Sequence, residues 1–131
     1  MIGLDTNVVV RYLTQDDATQ TVSAVKLMDS LSPDSPGFLS LIVIVELFWV
    51  LDTCYLFKKK EIEQVMETLL RSKELVIERA EIVWQALRKF SASRADFADC
   101  LIERCGHAAE CKHTFTFDQS AAAAAGMRLL P

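Results

Sequence analysis

The sequence predicts an α/β domain in which short parallel strands are covered on both faces by helices. Three observations carry this expectation. Short apolar runs alternate with longer amphipathic segments from one end of the chain to the other, the pattern of successive strand–helix units. The 131 residues are 51% hydrophobic, enough to bury one core and too few for two domains, so a single domain over 1–131 is expected. With 4 Gly and 3 Pro, the chain is poor in the tight turns that an all-β architecture needs.

The elements follow in order. Residues 2–4 form a short apolar strand, and Asp5-Thr6-Asn7 supplies helix-capping chemistry for a short helix carrying Val8, Val9, Val10, Tyr12 and Leu13. A second helix is expected over 17–31, with Val22, Val25, Leu27 and Met28 as its apolar contacts. The Ser/Pro/Asp/Gly stretch 32–37 is a loop, followed by a strand at 38–40 and a mostly apolar helix over 41–55. Lys58-Lys59-Lys60 opens a helix that ends near Ser72, and 74–77 is a strand. Ile82, Val83, Ala86, Leu87 and Phe90 recur at helical spacing over 80–90. Ser93 to Asp96 caps a further helix that runs to about Glu110. A strand over 113–117 closes on Asp118, the alanine run 121–125 is a short helix, and 127–130 is a final strand.

The net charge of −4 lacks the basic balance of a typical nucleic-acid binder, but a cluster of carboxylates is part of that count, and a bound cation would offset it. No signal peptide is apparent, because Met1 leads directly into the first strand. The longest apolar run, 38–51, is interrupted by Ser40 and Glu46 and is too short to span a bilayer. A cytoplasmic protein without a membrane partner is therefore expected. Cys54, Cys100, Cys105 and Cys111 contain no Cys-x-x-Cys pair, and the Cys105/His107 and Cys111/His113 spacings match no common zinc pattern. They read as reduced packing and surface residues.

The chemistry lies in the acids. Ligand crevices of parallel sheets lie outside the carboxyl ends of the strands, and Asp5 and Asp118 each follow a strand directly. Asp5 serves either as a plain N-cap or as a carboxylate ligand held by rigid backbone, with Thr6 and Asn7 orienting it from behind. Glu46 interrupts the apolar helix 41–51, where burying an unpaired carboxylate is costly; a divalent cation is the expected partner, against an exposed stripe or pairing with Arg11. Asp96 and Asp99 lie three residues apart on one helical face, where their repulsion calls for a cation, although Asp96 also fits a loose capping box with Ser93. Thr116 shares a strand face with Asp118 and is placed to hold a water or a carboxylate. Oxygen-only donors suit Mg²⁺ or Mn²⁺ rather than zinc. No Ser or Cys nucleophile stands beside a candidate base and no Gly-rich phosphate loop occurs, which leaves metal-assisted hydrolysis.

Four segments resemble the PIN-domain family. Ile2-Gly3-Leu4-Asp5-Thr6-Asn7-Val8 with Arg11-Tyr12-Leu13 is similar to its opening. Val43-Ile44-Val45-Glu46-Leu47, Ala95-Asp96-Phe97-Ala98-Asp99-Cys100-Leu101-Ile102 and Thr114-Phe115-Thr116-Phe117-Asp118 are similar to its second, third and fourth acidic motifs, in family order. Among small single-domain members, the chain resembles the VapC toxins of bacterial toxin–antitoxin pairs. The resemblance implies a three-layer α/β/α sandwich with a short central parallel sheet. It implies a Mg²⁺-dependent endoribonuclease, usually a homodimer, held inactive by a small antitoxin protein. It assigns the acidic site to Asp5, Glu46, Asp99 and Asp118, with Asp96 as an auxiliary carboxylate and Thr116 as a water or metal organiser. Two positions depart from the pattern: Cys105 and Gly106 stand where alanines are more frequent, and Gln119 where a basic residue is.

Arg11, Lys58 to Lys60, Arg94 and Arg104 are the candidates for contact with an RNA backbone, Arg11 first because it lies one turn beyond Asp5. The competing readings are a structure-specific DNA or RNA nuclease, a phosphoacceptor signalling domain and a non-catalytic interaction protein on the same fold. A phosphoacceptor domain needs a Lys after its last inner strand and an acceptor Asp after a middle strand, and the sequence offers neither.

Overall fold

The computed structural model describes residues Met1–Pro131. The chain gathers into two compact units, Met1–Glu78 and Arg79–Pro131. The α/β class expected from the alternation is the one observed, with short parallel strands and far more helix than strand.

The first unit holds β1 (Ile2–Gly3), α1 (Thr6–Thr14), α2 (Ala18–Asp29), β2 (Gly37–Leu39), α3 (Leu41–Thr53), α4 (Lys59–Arg71) and β3 (Leu75–Ile77). Its three strands pair in parallel in the order β1-β2-β3, with Ile2 opposite Gly37 and Leu39 opposite Ile77. The Leu4 amide extends the first ladder by donating to the Phe38 carbonyl at 2.9 Å. Gly37 is needed at the start of β2: a Cβ there would sit 2.7 Å from Leu4 Cδ1 and 3.0 Å from Leu31 Cδ1.

Helix α3 forms because Ser40 caps it, its hydroxyl accepting the Val43 amide at 3.2 Å, and because Val43, Ile44, Leu47, Phe48 and Leu51 fall on one buried face. Burial of each such side chain stabilises the fold by about 1.5–3 kcal/mol. The same helix leaves Ile42 and Trp49 exposed. Helix α4 buries Ile62, Met66 and Leu69 at spacings of four and three, and Glu61 accepts the Lys58 amide at 2.8 Å to fix its start.

The second unit holds α5 (Ala80–Ala92), α6 (Phe97–Ala108), β4 (Phe115–Thr116), α7 (Gln119–Ala124) and β5 (Arg128–Leu129). Strands β4 and β5 pair in parallel. Ile82, Val83, Ala86, Leu87 and Phe90 of α5 are buried together with Phe97, Cys100 and Leu101 of α6. The Phe90 and Phe97 rings meet edge to face with centroids 6.2 Å apart. Beside this apolar seam lies a partly buried ionic group. Lys89 Nζ donates to Glu103 Oε1 at 3.1 Å and to the Ala125 carbonyl at 2.7 Å, and Arg104 donates to both Glu103 oxygens at 2.8 and 3.0 Å. Burial raises the Glu103 carboxyl, but hydrogen bonds from Arg104 and Lys89 outweigh it and hold the group below the usual glutamate value.

Most elements begin and end within a few residues of expectation. The start of α6 is one difference: the anticipated Ser93/Asp96 capping box does not form. The Ser93 hydroxyl instead accepts the Ala95 amide at 3.2 Å, and Asp96 itself stands at the N-cap. No helix is long and apolar enough to cross a membrane.

Candidate functional site

In the first unit the strand ends deliver three polar side chains to the carboxyl edge of the sheet. Asp5 follows β1, Ser40 follows β2 and Glu78 follows β3. Ser40 caps α3, and Glu78 Oε1 accepts the Leu41 amide at 2.8 Å, so both serve the start of that helix. Asp5 behaves differently. It occupies the N-cap of α1 in extended backbone, yet its carboxylate makes no capping hydrogen bond. An aspartate present only to cap would accept an amide of the first turn, as Asp17 does from Gln20 at 2.8 Å at the start of α2. Asp5 is also exposed, which leaves its oxygens open to solvent and to a ligand.

Next to Asp5, buried Thr6 donates its hydroxyl to Glu46 Oε1 at 2.8 Å. This bond links the first turn of α1 to the second turn of α3 and fixes one carboxylate oxygen of Glu46 while the other stays open. Of the alternatives open for Glu46, the exposed stripe is the one observed. Glu46 is exposed rather than buried in its apolar helix, because the buried stripe runs through Val43, Ile44, Leu47 and Phe48 and leaves position 46 outside it. Nor does Glu46 pair with Arg11. The Arg11 guanidinium turns to Asp16 at 3.4 Å, to the Tyr55 hydroxyl at 3.1 Å and to Gln20 at 2.7 Å. Tyr55 in turn donates to Asp16 at 2.7 Å, and that bond, ahead of one from Thr14, holds the Asp16 carboxyl below its usual range. Arg11 therefore ties the end of α1 to α2 and to the segment after α3. Asn7 is exposed on the first turn of α1.

In the second unit, Asp96 is the N-cap of α6 and, like Asp5, makes no side-chain capping bond. Asp99 lies in the first turn of that helix. Asp118 caps α7, with Oδ1 accepting the amides of Ser120 at 2.7 Å and Ala121 at 3.2 Å. Burial first, and then the charges of Asp96 and Asp118, push the Asp99 carboxyl above the ordinary aspartate range. Asp99 thus feels both Asp96, its neighbour on the same helix, and Asp118, which comes from beyond β4. Thr116 is half-buried, and its hydroxyl oxygen accepts the Asp118 amide at 3.0 Å, so its first task is to shape the turn that carries Asp118. Of the basic candidates, Arg104 is bound by Glu103, whereas Arg94 and Lys58 to Lys60 are exposed.

Cys100 is buried, and burial ahead of the nearby acids keeps its thiol protonated by raising its pKa. All four cysteines are free. No three carboxylate, imidazole or thiolate side chains gather into a group that could hold a metal ion unaided. That argues against a closed zinc site, which needs four protein ligands. It weighs less against Mg²⁺, which keeps several waters and binds through one or two carboxylates. The oxygen donors of each unit, Asp5 and Glu46 in the first and Asp96, Asp99 and Asp118 in the second, are of the kind that suits such a hard cation.

Sequence reasoning missed Glu78, whose position after β3 repeats that of Asp5 after β1. The strand-end rule applied to 74–77 would have found it.

A family model described as PIN domain matches residues 2–127. A protein of Aquifex aeolicus (strain VF5) described as VapC ribonuclease is 27% identical over 100 residues, covering 75% of this chain and 73% of that protein.

Proposed function

The chain belongs to the PIN domain family, and from that premise we propose that it is a metal-dependent endoribonuclease and the toxin of a type II toxin–antitoxin pair. The crowding of Asp96 and Asp118 on Asp99 carries this reading. Asp96 and Asp118 raise the cost of ionising Asp99, and a divalent cation would turn that repulsion into binding. The related VapC ribonuclease supports RNA as the substrate. The family match crosses the Glu78–Arg79 boundary, which supports treating both units as one functional domain.

In this reading Asp5, Glu46, Asp99 and Asp118 hold Mg²⁺ or Mn²⁺, with Asp96 as an auxiliary acid. When bound, the cation supplies an activated water and offsets charge on the phosphodiester and its leaving oxygen. The chain's own residues do the positioning. Thr6 fixes one oxygen of Glu46 and so aims the other. The α7 amides hold the carboxylate of Asp118, while the Thr116 hydroxyl fixes the backbone turn that carries it. Asp99, partly buried and crowded by the charges of Asp96 and Asp118, is the acid whose ionised form gains most from a nearby cation. The same reading includes a homodimer, a small antitoxin protein as inhibitor and a cytoplasmic setting.

The test is cleavage of a labelled single-stranded RNA. Cleavage is expected with Mg²⁺ or Mn²⁺ and none in EDTA, and Asp5→Asn and Asp118→Asn are each expected to lower the rate roughly a hundredfold or more. Cleavage that persists in EDTA, or that survives both substitutions, contradicts the proposal.

A further inference from the structure

Around β4 the chain interleaves basic and aromatic side chains as it approaches an acid: Lys112, His113, Phe115, Phe117, then Asp118. Phenylalanine is among the residue types most often buried, yet Phe115 is 53% and Phe117 78% exposed. The His113 ring meets Phe115 edge-on, with centroids 6.0 Å apart and planes at 69°. Across the ladder Phe115 pairs with Arg128, so the guanidinium and the ring lie on the same face of the two strands. Lys112, His113 and Arg128 are all exposed, and neither Lys112 nor Arg128 is held in an ion pair as Arg11 and Arg104 are.

We propose that Phe115 and Phe117, flanked by Lys112 and Arg128, form a stacking platform for unpaired bases of an RNA strand that leads to Asp118. Each base offers a π-face to an exposed ring whatever its identity, and the flanking cations match the phosphates between bases. The company these rings keep favours RNA over a protein partner. Lysine is depleted in protein interfaces, whereas Lys112 stands beside these rings and its charge matches a phosphate. Phe117 and Asp118 are consecutive, with Cα atoms about 3.8 Å apart, so a strand stacked on Phe117 passes the same turn of the chain that carries the acid. The identity of the strand as RNA rests on the ribonuclease reading above, but the contact itself is measurable without cleavage.

The experiment is fluorescence anisotropy of a short labelled single-stranded RNA with the full chain in EDTA, where the proposed chemistry is off. Phe115→Leu and Phe117→Leu keep apolar bulk and remove the ring. Each is expected to raise Kd roughly tenfold, while Phe117→Tyr stays near the wild type. Arg128→Gln is expected to reduce the salt dependence of binding by about one phosphate contact. A fluorescent adenine analogue in the RNA is expected to be quenched by the wild type and less so by the Leu variants. Melting curves of the Leu variants are expected to match the wild type, since both side chains face solvent. Leu variants that bind RNA as tightly as the wild type overturn the platform. So does a wild type that binds no RNA. Loss of self-association in place of RNA binding also overturns it, and assigns the rings to a second copy of the chain. If RNA is cleaved normally while the Leu variants bind unchanged, the platform fails and the nuclease stands. If the Leu variants bind weakly but no preparation cleaves RNA, the nuclease reading fails and the platform stands.

Discussion

Asp99 shows most clearly what the fold does to one residue. Its carboxyl is raised by burial and by the neighbouring charges of Asp96 and Asp118, so its ionised form is disfavoured in the folded chain. A group raised in this way favours folding below its ordinary pKa, and that benefit is lost as the pH rises through the raised value. Asp99→Asn in metal-free protein is therefore expected to raise the melting temperature by a few degrees near neutral pH. The gain should shrink toward zero at acid pH, where the wild-type carboxyl is already protonated. Thermal melts of both proteins across that range check the sign, and an Asn variant less stable at neutral pH contradicts the electrostatic account. Which acids were special was only partly legible in the sequence. Asp5, Asp17, Asp96 and Asp118 all stand at helix starts, but a sequence cannot say whose carboxylate caps. Asp17 and Asp118 cap, whereas Asp5 and Asp96 do not, a difference set by side-chain rotamers. The exposure of Glu46 was hidden for a related reason: in a helix as uniformly apolar as α3, hydropathy gives no sign of which face turns outward.

At the scale of elements, α7 is held from both ends. Asp118 caps its start, and Lys89 reaches the carbonyl of Ala125 at its end while engaging Glu103. Gly126 makes room for this: its φ is +86°, and a Cβ there would lie 2.8 Å from Lys89 Nζ. Gly126→Ala is expected to destabilise the chain by about 2 kcal/mol, combining the left-handed backbone cost with displacement of Lys89. Urea denaturation measures it, and an unchanged midpoint contradicts the role given to Lys89. The strand–helix alternation that predicts these elements was readable because periodicity reports burial, and α5 falls on its predicted stripe. The Lys89–Glu103–Arg104 group was not readable, since its members meet only when α5, α6 and the end of α7 pack together.

At the scale of the whole molecule, the order of the four acidic motifs along the chain was the most informative feature of the sequence, and the family it resembles is the one whose model matches residues 2–127. The division into two compact units left no trace, because the boundary at Glu78–Arg79 carries neither Gly nor Pro. Arg79 instead adopts a φ of 50° without the residue type that would announce it. The account depends on acids from distant parts of the chain serving one divalent cation. Calorimetric titration of Mn²⁺ into the full chain at neutral pH tests this most directly. Saturable binding is predicted for the wild type, weakened by Asp5→Asn and also by Asp99→Asn. A wild type that takes up no Mn²⁺, or an affinity that neither substitution changes, would contradict it.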